Sequence, residues 1–217
     1  MERNRVTLAT ACTLTAALGV LVFLAARLVE STLEVTDVRI AEAVYDLHNP
    51  VLHLLMRLAS PFGSTVGVIV VTAALGAFIW RRGDRRAAVI ACSTILAAIL
   101  LNPILKLMFA RPRPELFPLI RLPQSYAFPS GHTVGATVAY AVVAMVLTRY
   151  RPEWRTRLRA GAAVIIVLVG AARVYLGVHW PGDVAAGWAF GAMMATVGWR
   201  LLRRGTSLSV VNRGSNE

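Results

Sequence analysis

Three ionisable side chains, Arg173, His179 and Asp183, lie close together where two apolar stretches of the sequence meet. Charge at such a place is costly, because an arginine or aspartate at membrane depth costs roughly 2.5 to 3.5 kcal/mol unless it is paired or hydrated. These residues are therefore candidates for function. The alternative interpretation is that Arg173 only extends to the membrane interface and Asp183 only caps the following helix. Two other segments favour function.

The first of these segments contains the only lysine of the chain. Lys106 precedes Arg113 by seven residues, and Pro112 and Pro114 flank the arginine. Prolines at alternate positions end a helix and favour an extended path. We therefore expect both cations to emerge at the same end of one apolar helix.

The second segment, Pro129-Ser130-Gly131-His132, directly precedes another apolar stretch. A Ser-Gly pair at a helix start offers unpaired backbone N–H groups at the positive end of the helix dipole, which favours anion binding. The alternative is that Ser130 is only an N-cap and Gly131 only a turn residue. That alternative leaves His132 unexplained.

The composition predicts an integral membrane protein. Of the 217 residues, 57% are apolar, and the mean hydropathy is +0.62. Apolar runs of about 20 residues predict transmembrane helices, and the chain has six of them, at 6–29, 64–80, 87–109, 132–148, 160–178 and 184–202. The connections are short, so we predict one all-α domain over residues 1–217, with 203–217 as a cytoplasmic tail.

The formal net charge of +12 follows the predicted topology. Arginines cluster before the first run, between the second and third, between the fourth and fifth, and after the sixth. By the positive-inside rule, both termini and these loops are cytoplasmic. The candidate residues then share the outer face, and the arginines give no indication of nucleic-acid binding. Cys12 and Cys92 fall inside predicted spans and are interpreted as buried small side chains, without a disulfide or metal role.

The loop between the first two apolar runs contains sequence patterns of helices that are too short to span the membrane. Turn and capping residues predict a short amphipathic helix that begins at 36–37, ends at 49–50 and lies on the outer membrane surface. A second apolar piece covers 51–59. His48 and His53 are interpreted as interfacial polar residues.

The candidate residues suit phosphoryl chemistry. A lysine, two arginines and a helix N-terminus that converge on one point match a phosphate dianion. One histidine could attack phosphorus while another protonates the departing oxygen. A carboxylate four residues after His179, across a Pro-Gly turn, could fix its tautomer. No cluster has the ligand count of a two-metal phosphatase, so we expect no metal and no cofactor.

The order and spacing of these residues resemble the three-part signature of the type 2 phosphatidic acid phosphatase family of integral membrane lipid phosphatases. The matching residues are Lys106, Arg113 and Pro114, then Pro129, Ser130, Gly131 and His132, then Arg173, His179 and Asp183. The resemblance covers nearly the whole chain through its six predicted spans.

This resemblance implies a role for each residue. His179 would be the nucleophile that forms a phosphohistidine, Asp183 would orient it, and His132 would be the acid for the leaving group. The residues implied to hold phosphoryl oxygens are Lys106, Arg113, Ser130, Gly131 and Arg173. The family usually has serine before the arginine of the third motif, whereas this chain has Ala172. We predict weaker phosphate binding or a shifted substrate preference.

The expected function is hydrolysis of the terminal phosphate of a lipid phosphate or diphosphate at the outer face of a bacterial plasma membrane. Undecaprenyl pyrophosphate is favoured, because small bacterial members of the family recycle this carrier there. Phosphatidylglycerophosphate or phosphatidic acid is the alternative. An alternative of another class is a non-catalytic protein that binds or transports lipid phosphate. A transporter would distribute charge along the membrane depth, whereas these charges cluster at one end.

Overall fold

The computed structural model describes residues 2–29 and 32–204, and the regular structure in this part of the chain is entirely helical. The helices are α1 (Glu2–Val29), α2 (Thr32–Tyr45), α3 (Pro50–Ala59), α4 (Thr65–Arg81), α5 (Arg85–Phe109), α6 (Gly131–Tyr150), α7 (Arg155–Tyr175) and α8 (Pro181–Arg204). Short 3-10 turns at Ser60–Gly63 and Pro152–Trp154 precede α4 and α7. The all-α prediction is confirmed.

Helix α6 lies at the centre of the bundle and packs against α5, α7 and α8. Valines on one of its faces are completely buried because they recur every fourth residue: Val134, Val138, Val142 and Val146. Helix α8 approaches α6 closely, since a Cβ on Gly191 would lie only 2.6 Å from the Cβ of Thr137. Contact through small residues is a common mode of helix packing in membranes.

Three helical segments among the described residues are long and apolar enough to cross a membrane: Arg85–Phe109, Gly131–Tyr150 and Pro152–Tyr175. A bent pair, Pro50–Gly63 and Thr65–Arg81, meets the same criteria together and is bent by 54°, which raises the count to at most four. The protein is thus a multi-pass membrane protein. The six predicted apolar runs overlap α1 and α4 to α8, but the count of six spans stays a prediction.

The first loop contains two helices whose bounds differ from the predicted ones. Helix α2 begins at Thr32 and ends at Tyr45, so Asp37 lies inside the helix and the predicted start at 36–37 is wrong. The physical reason is that the carboxylate of Asp37 binds partners elsewhere in the fold instead of capping α2. Asn49 does act as a cap, but for α3, because its Oδ1 accepts the Leu52 N–H at 2.9 Å. Placement of these helices on the outer membrane surface stays a prediction.

Both cysteines are free thiols. Cys92 is half-buried, and its Sγ lies 3.7 Å from the carbonyl oxygen of Thr72. Cys12 is exposed on α1, so the prediction of a buried side chain is wrong there. Helix α1 packs along α8, and this packing leaves the Cys12 side chain exposed.

The segment between α5 and α6 is held in place by backbone contacts along its length. Helix α5 is followed by Ala110, whose φ of 45° turns the chain in the left-handed region. The N–H of Ala127 donates to the carbonyl of Arg111 at 2.9 Å. Gly177, with φ +68°, approaches the same segment so closely that a Cβ would lie 2.2 Å from the carbonyl oxygen of Phe117. The chain between α7 and α8 is thereby held against this segment.

Candidate active site

A cavity of about 480 Å³ lies where the three sequence motifs meet. Six of the eight predicted site residues line it: Lys106, Arg113, Gly131, His132, Arg173 and His179. Ser130 and Asp183 are completely buried behind it. A larger crevice of about 810 Å³ is lined by Arg149, Arg155 and other residues, and by none of the eight. The fold therefore brings residues from distant parts of the sequence to one cavity.

His179 is held on one side by a carboxylate. Its Nδ1 lies 3.2 Å from Oδ2 of Asp183, and the same oxygen accepts the backbone N–H of Trp180 at 2.9 Å. Because a carboxylate accepts hydrogen bonds, we assign the proton of the neutral ring to Nδ1. The other ring nitrogen, Nε2, then carries a lone pair, as attack on phosphorus requires.

The imidazole of His179 is buried. Its exposed fraction is 3%, because the Val178 to Pro181 turn folds into the bundle and is not left at its rim. Burial lowers the pKa of His179 to about 4, against the opposing effect of the neighbouring Asp183. The ring is therefore neutral at physiological pH, which is the form that can act as a nucleophile.

Arg113 lies directly in front of the free ring nitrogen. Its Nη1 is 3.1 Å from Nε2 of His179 and donates to the carbonyl of Val178 at 2.6 Å. Its Nε donates to the carbonyl of Ser125 at 2.7 Å. Burial lowers the pKa of Arg113 from its usual value, yet a guanidinium stays charged at neutral pH. A cation thus occupies the position next to Nε2 of His179.

Lys106 reaches the cavity from the last turn of α5. Its Nζ donates to the carbonyl oxygens of Tyr126 and Ala127, the latter at 3.1 Å. An ammonium has three donors, so the contacts described here leave one for a further acceptor. The segment 125–127 therefore supplies carbonyl partners to both Lys106 and Arg113.

Arg173 carries a donor without a partner. Its exposed fraction is 3%, and Nη1 donates to Oγ of Ser60 at 2.6 Å. Within the described part of the chain, its buried Nε has no hydrogen-bond partner. A buried unpaired donor is unfavourable, and an anionic oxygen would satisfy it.

The start of α6 adds the remaining predicted residues. The side chain of Ser130 makes no capping hydrogen bond. Ser130 occupies the N-cap position of α6, but its Oγ accepts from Oγ1 of Thr133 at 3.0 Å instead of capping the helix. Gly131 lies close to α5, since a Cβ there would be 3.0 Å from Nδ2 of Asn102. His132 is half-buried in the cavity wall.

Sequence reasoning missed several polar residues of this region. Ser60 is not among the predicted site residues, and it contacts Arg173 across 113 residues of sequence. Asn102, which lines the cavity, has a buried Oδ1 without a partner among the described residues. Arg111 is not among the predicted site residues, although its guanidinium binds Asp183. The only available signal was that two arginines flank Pro112.

Ala172, which stands where the family usually has serine, is completely buried on α7. It does not belong to the described residues that line the cavity. A substrate contact at this position would therefore require a side chain longer than alanine.

Comparison with known proteins gives a family and several relatives. The sequence profile of the PAP2 superfamily matches residues 87–207, more than half of the 217 residues. Phosphatidylglycerophosphatase B of Bacillus subtilis is 41% identical over 98 residues, which cover 44% of this chain and 48% of that protein. The chain thus spans about half the length of this relative. An undecaprenyl-diphosphatase of Sulfolobus acidocaldarius is 36% identical over 149 residues, covering 66% of this chain and 68% of that protein.

Solved structures show the same architecture. The crystal structure of a transmembrane PAP2-type phosphatidylglycerolphosphate phosphatase from Bacillus subtilis matches with a TM-score of 0.84 and 27% identity, covering 88% of this chain and 96% of that one. The Aquifex aeolicus LpxE structure matches in fold alone, with a TM-score of 0.61 and 23% identity over 75% of this chain and 94% of that one.

The relatives are named as phosphatases, which supports a phosphoric ester hydrolase. The matched residues 87–207 include the three motifs that the sequence analysis used. The resemblance drawn from these motifs is confirmed, and the chain belongs to the PAP2 superfamily.

Proposed function

We propose that this protein is a membrane lipid phosphatase that removes the terminal phosphate of a lipid phosphate or diphosphate through a phosphohistidine intermediate. One observation carries the proposal. Nε2 of the buried His179 faces a cavity of cations, while Nδ1 is held by the carboxylate of Asp183. That arrangement favours a neutral nucleophile beside an anion site.

The first chemical step transfers the phosphoryl group to the protein. Nε2 of His179 attacks phosphorus, and the bond from phosphorus to the departing lipid oxygen breaks. That oxygen takes its proton from His132, which lines the same cavity. Asp183 stabilises the positive charge that forms on the ring of His179.

The second step returns the nucleophile. His132, now neutral, takes a proton from water, and the water oxygen attacks phosphorus. The bond between phosphorus and Nε2 breaks, and inorganic phosphate leaves.

The cations stabilise the charge on the phosphoryl oxygens in both steps. Arg173 offers its unpartnered Nε, and Lys106 offers its third donor. Donors fixed in advance at the position of developing charge lower a barrier because they need no reorganisation. The chemistry is complete with these side chains, so we propose a reaction that needs no metal.

Undecaprenyl pyrophosphate is the substrate we favour. The relative from Sulfolobus acidocaldarius, named an undecaprenyl-diphosphatase, is matched over 68% of its length. Phosphatidylglycerophosphate is the second candidate. The Bacillus subtilis relative is named phosphatidylglycerophosphatase B, and the matched crystal structure from Bacillus subtilis is described as a phosphatidylglycerolphosphate phosphatase.

We also propose that both termini are cytoplasmic, that the chain crosses the membrane six times and that the cavity opens at the outer face. The arginine-rich loops support this orientation. Membrane-impermeant labelling of a cysteine introduced between Arg149 and Arg159 should succeed only from the cytoplasmic side. Labelling from the outside would reverse the topology.

The function is tested by phosphate release from undecaprenyl pyrophosphate, phosphatidylglycerophosphate and phosphatidic acid, with detergent-purified protein and excess chelator. We expect release that His179→Ala abolishes, and acid-labile phosphate on the protein after a rapid quench. The ranking of kcat/KM identifies the substrate. A folded protein that releases no phosphate from any of the three would be a binding or transport protein instead.

A further inference from the structure

We propose that Arg111 and Asp37 are positioning residues for the reaction, because together they hold Asp183 in the orientation that His179 requires. This inference rests on the proposed function. It extends the site to α2, a helix outside the three motifs.

The inference starts from a continuous chain of hydrogen bonds between two carboxylates and one guanidinium. Nη1 of Arg111 donates to Oδ1 of Asp183 at 2.7 Å, and Nη2 donates to Oδ2 of Asp37 at 2.6 Å. The other oxygen of Asp37 accepts the backbone N–H of Gly182 at 2.8 Å. Gly182 directly precedes Asp183 at the start of α8. Asp37 therefore binds both the backbone next to Asp183 and the arginine that binds the Asp183 carboxylate.

These contacts decide which oxygen of Asp183 faces the imidazole. Arg111 occupies Oδ1, so Oδ2 is left for the N–H of Trp180 and for Nδ1 of His179. The plane of a carboxylate with both oxygens engaged cannot rotate without breaking several bonds. Trp180 further limits Arg111, whose guanidinium carbon lies 5.6 Å from the centre of the indole ring.

Burial makes this arrangement costly to disrupt. The exposed fractions are 7% for Arg111 and 1% for Asp37, and Asp183 is completely buried. Burial raises the pKa of Asp37, against the opposing effect of Arg111. All the contacts described above donate to the oxygens of Asp37, which is the pattern of an ionised carboxylate.

The charges of the network suit the reaction. With both carboxylates ionised, Asp37, Asp183 and Arg111 together carry one net negative charge next to a neutral imidazole. Formation of the phosphohistidine gives the ring of His179 a positive charge. The network then becomes balanced, so it stabilises the intermediate more than the resting state.

The network also reaches the phosphate-binding side. The carbonyl of Arg111 accepts the N–H of Ala127 at 2.9 Å, and the carbonyl of Ala127 accepts from Nζ of Lys106. The backbone and side chain of Arg111 thus contact the two sides of the site at once. A residue needed only for packing would not combine these contacts.

The test compares two charge-changing variants with a matched control, using the full-length protein in detergent and the best of the three lipids. Asp37→Asn keeps the shape of the side chain and the contact with Gly182 but removes the acceptor of Arg111. In metal sites, substitution of residues that orient a functional side chain lowers activity by about 10- to 100-fold, and we use the lower end of that range as a guide here. We expect kcat to fall by about 10-fold for Asp37→Asn with KM unchanged, and more for Arg111→Gln.

Arg121 provides the control, since it is an exposed arginine of the same segment. Arg121→Gln should keep kcat within about 2-fold of the parent, as surface substitutions usually do. If Asp37→Asn and Arg111→Gln behave like Arg121→Gln, the inference is wrong. The proposed function would survive that result provided that His179→Ala is inactive.

A pH profile separates positioning from general destabilisation. The charged and titratable groups around His179 are Asp183, Arg113, Lys106, His132 and Arg173. Removing the charge of Arg111 strengthens the field of Asp183 at the ring, so Arg111→Gln should move the acidic limb of kcat/KM to higher pH. Arg111→Lys keeps the positive charge and should keep the acidic limb of kcat/KM near its original pH. It should restore only part of kcat, because a single ammonium does not reproduce the planar guanidinium that contacts both carboxylates.

An unchanged limb in Arg111→Gln would overturn the inference. If Arg111→Gln does not fold because two buried carboxylates lose their cation, Asp37→Asn supplies the kcat measurement. The double variant Asp37→Asn, Arg111→Gln, which leaves a single buried carboxylate, supplies the pH profile.

Discussion

The two sides of the His179 ring differ in how completely their polar groups are paired. On the Nδ1 side, Asp183 engages both oxygens with protein donors. On the Nε2 side, Arg173 has a buried nitrogen without a partner in the described chain, and a cavity of about 480 Å³ lies in front of the ring. We call the Nδ1 side, which is paired within the protein, the closed side, and the Nε2 side, which faces the cavity, the open side. The difference supports the proposal that the closed side is built in advance and that a bound phosphate completes the open side.

The largest expected effect comes from removing the group that joins the two sides. His179→Ala should lower kcat by at least about 10³-fold, as the loss of a nucleophile does in other hydrolases. Phosphate release and acid-labile phosphorylation of the protein measure this. Thermal unfolding of the variant serves as the control for folding. Residual turnover near that of the parent would mean that another group attacks phosphorus.

A substitution on the open side should act through the bound phosphate. Arg173→Lys keeps the charge but loses the planar fork and the Nε donor, so we expect kcat/KM to fall by about 100-fold. Ser60→Ala is the matched variant, since it removes only the hydroxyl that Arg173 contacts and should cost less. Equal losses of kcat/KM in both variants would show that the contact of Arg173 with Ser60, and not a contact with the substrate, accounts for the effect.

The closed side sets the pH dependence. Burial lowers the pKa of His179 to about 4, below its usual value near 6.5. The ring of His179 should therefore stay neutral down to about pH 4, and kcat/KM should not show an acidic limb at pH 6.5 from this group. The unfolded state binds the proton more readily between these values, so this group makes stability fall as pH drops from about 6.5 to about 4.

The check is a profile of kcat/KM with a soluble phosphate ester together with unfolding temperatures over the same pH range. The contradicting outcome is an acidic limb of kcat/KM near pH 6.5 that persists in every variant of the open side. Such a limb would show that the ring of His179 is more hydrated than its 3% exposure indicates.

The smallest effect is expected at Ala172. Ala172→Ser restores the hydroxyl that the family usually carries, and we expect a change of a few-fold in KM or in the ranking of lipids. The residue is completely buried and lies outside the cavity lining of the described chain, which is why the effect should be small. Unchanged affinity and selectivity would show that the alanine has no functional consequence.

Much of the open side could be predicted from sequence, because its residues lie at fixed offsets within short motifs. Lys106, Arg113, His132 and Arg173 all reach the cavity. The closed side was only partly predictable. The contact between Arg111 and Asp37 joins residues 74 apart in sequence, and no local pattern indicates which acidic residue of the first loop turns inward.

Two local features that sequence spacing could not supply share one physical cause. The turn around His179 is buried within the bundle, and Asp37, predicted to be a helix start, lies inside α2. In both cases a residue type that is common at surfaces is buried because tertiary hydrogen bonds satisfy it. Sequence spacing identifies the residue type, but only the fold supplies the partner.

The contact between Arg113 and His179 has a consequence for the proposed reaction. Since Nη1 of Arg113 lies 3.1 Å from Nε2, the guanidinium covers the ring nitrogen to which the proposal assigns the attack. In that reaction, we expect the phosphoryl oxygens to draw the guanidinium away from Nε2, because a cation binds an anionic oxygen more strongly than a neutral ring nitrogen. A neutral electrophile would lack this means of reaching His179, so the same contact would select for anionic substrates.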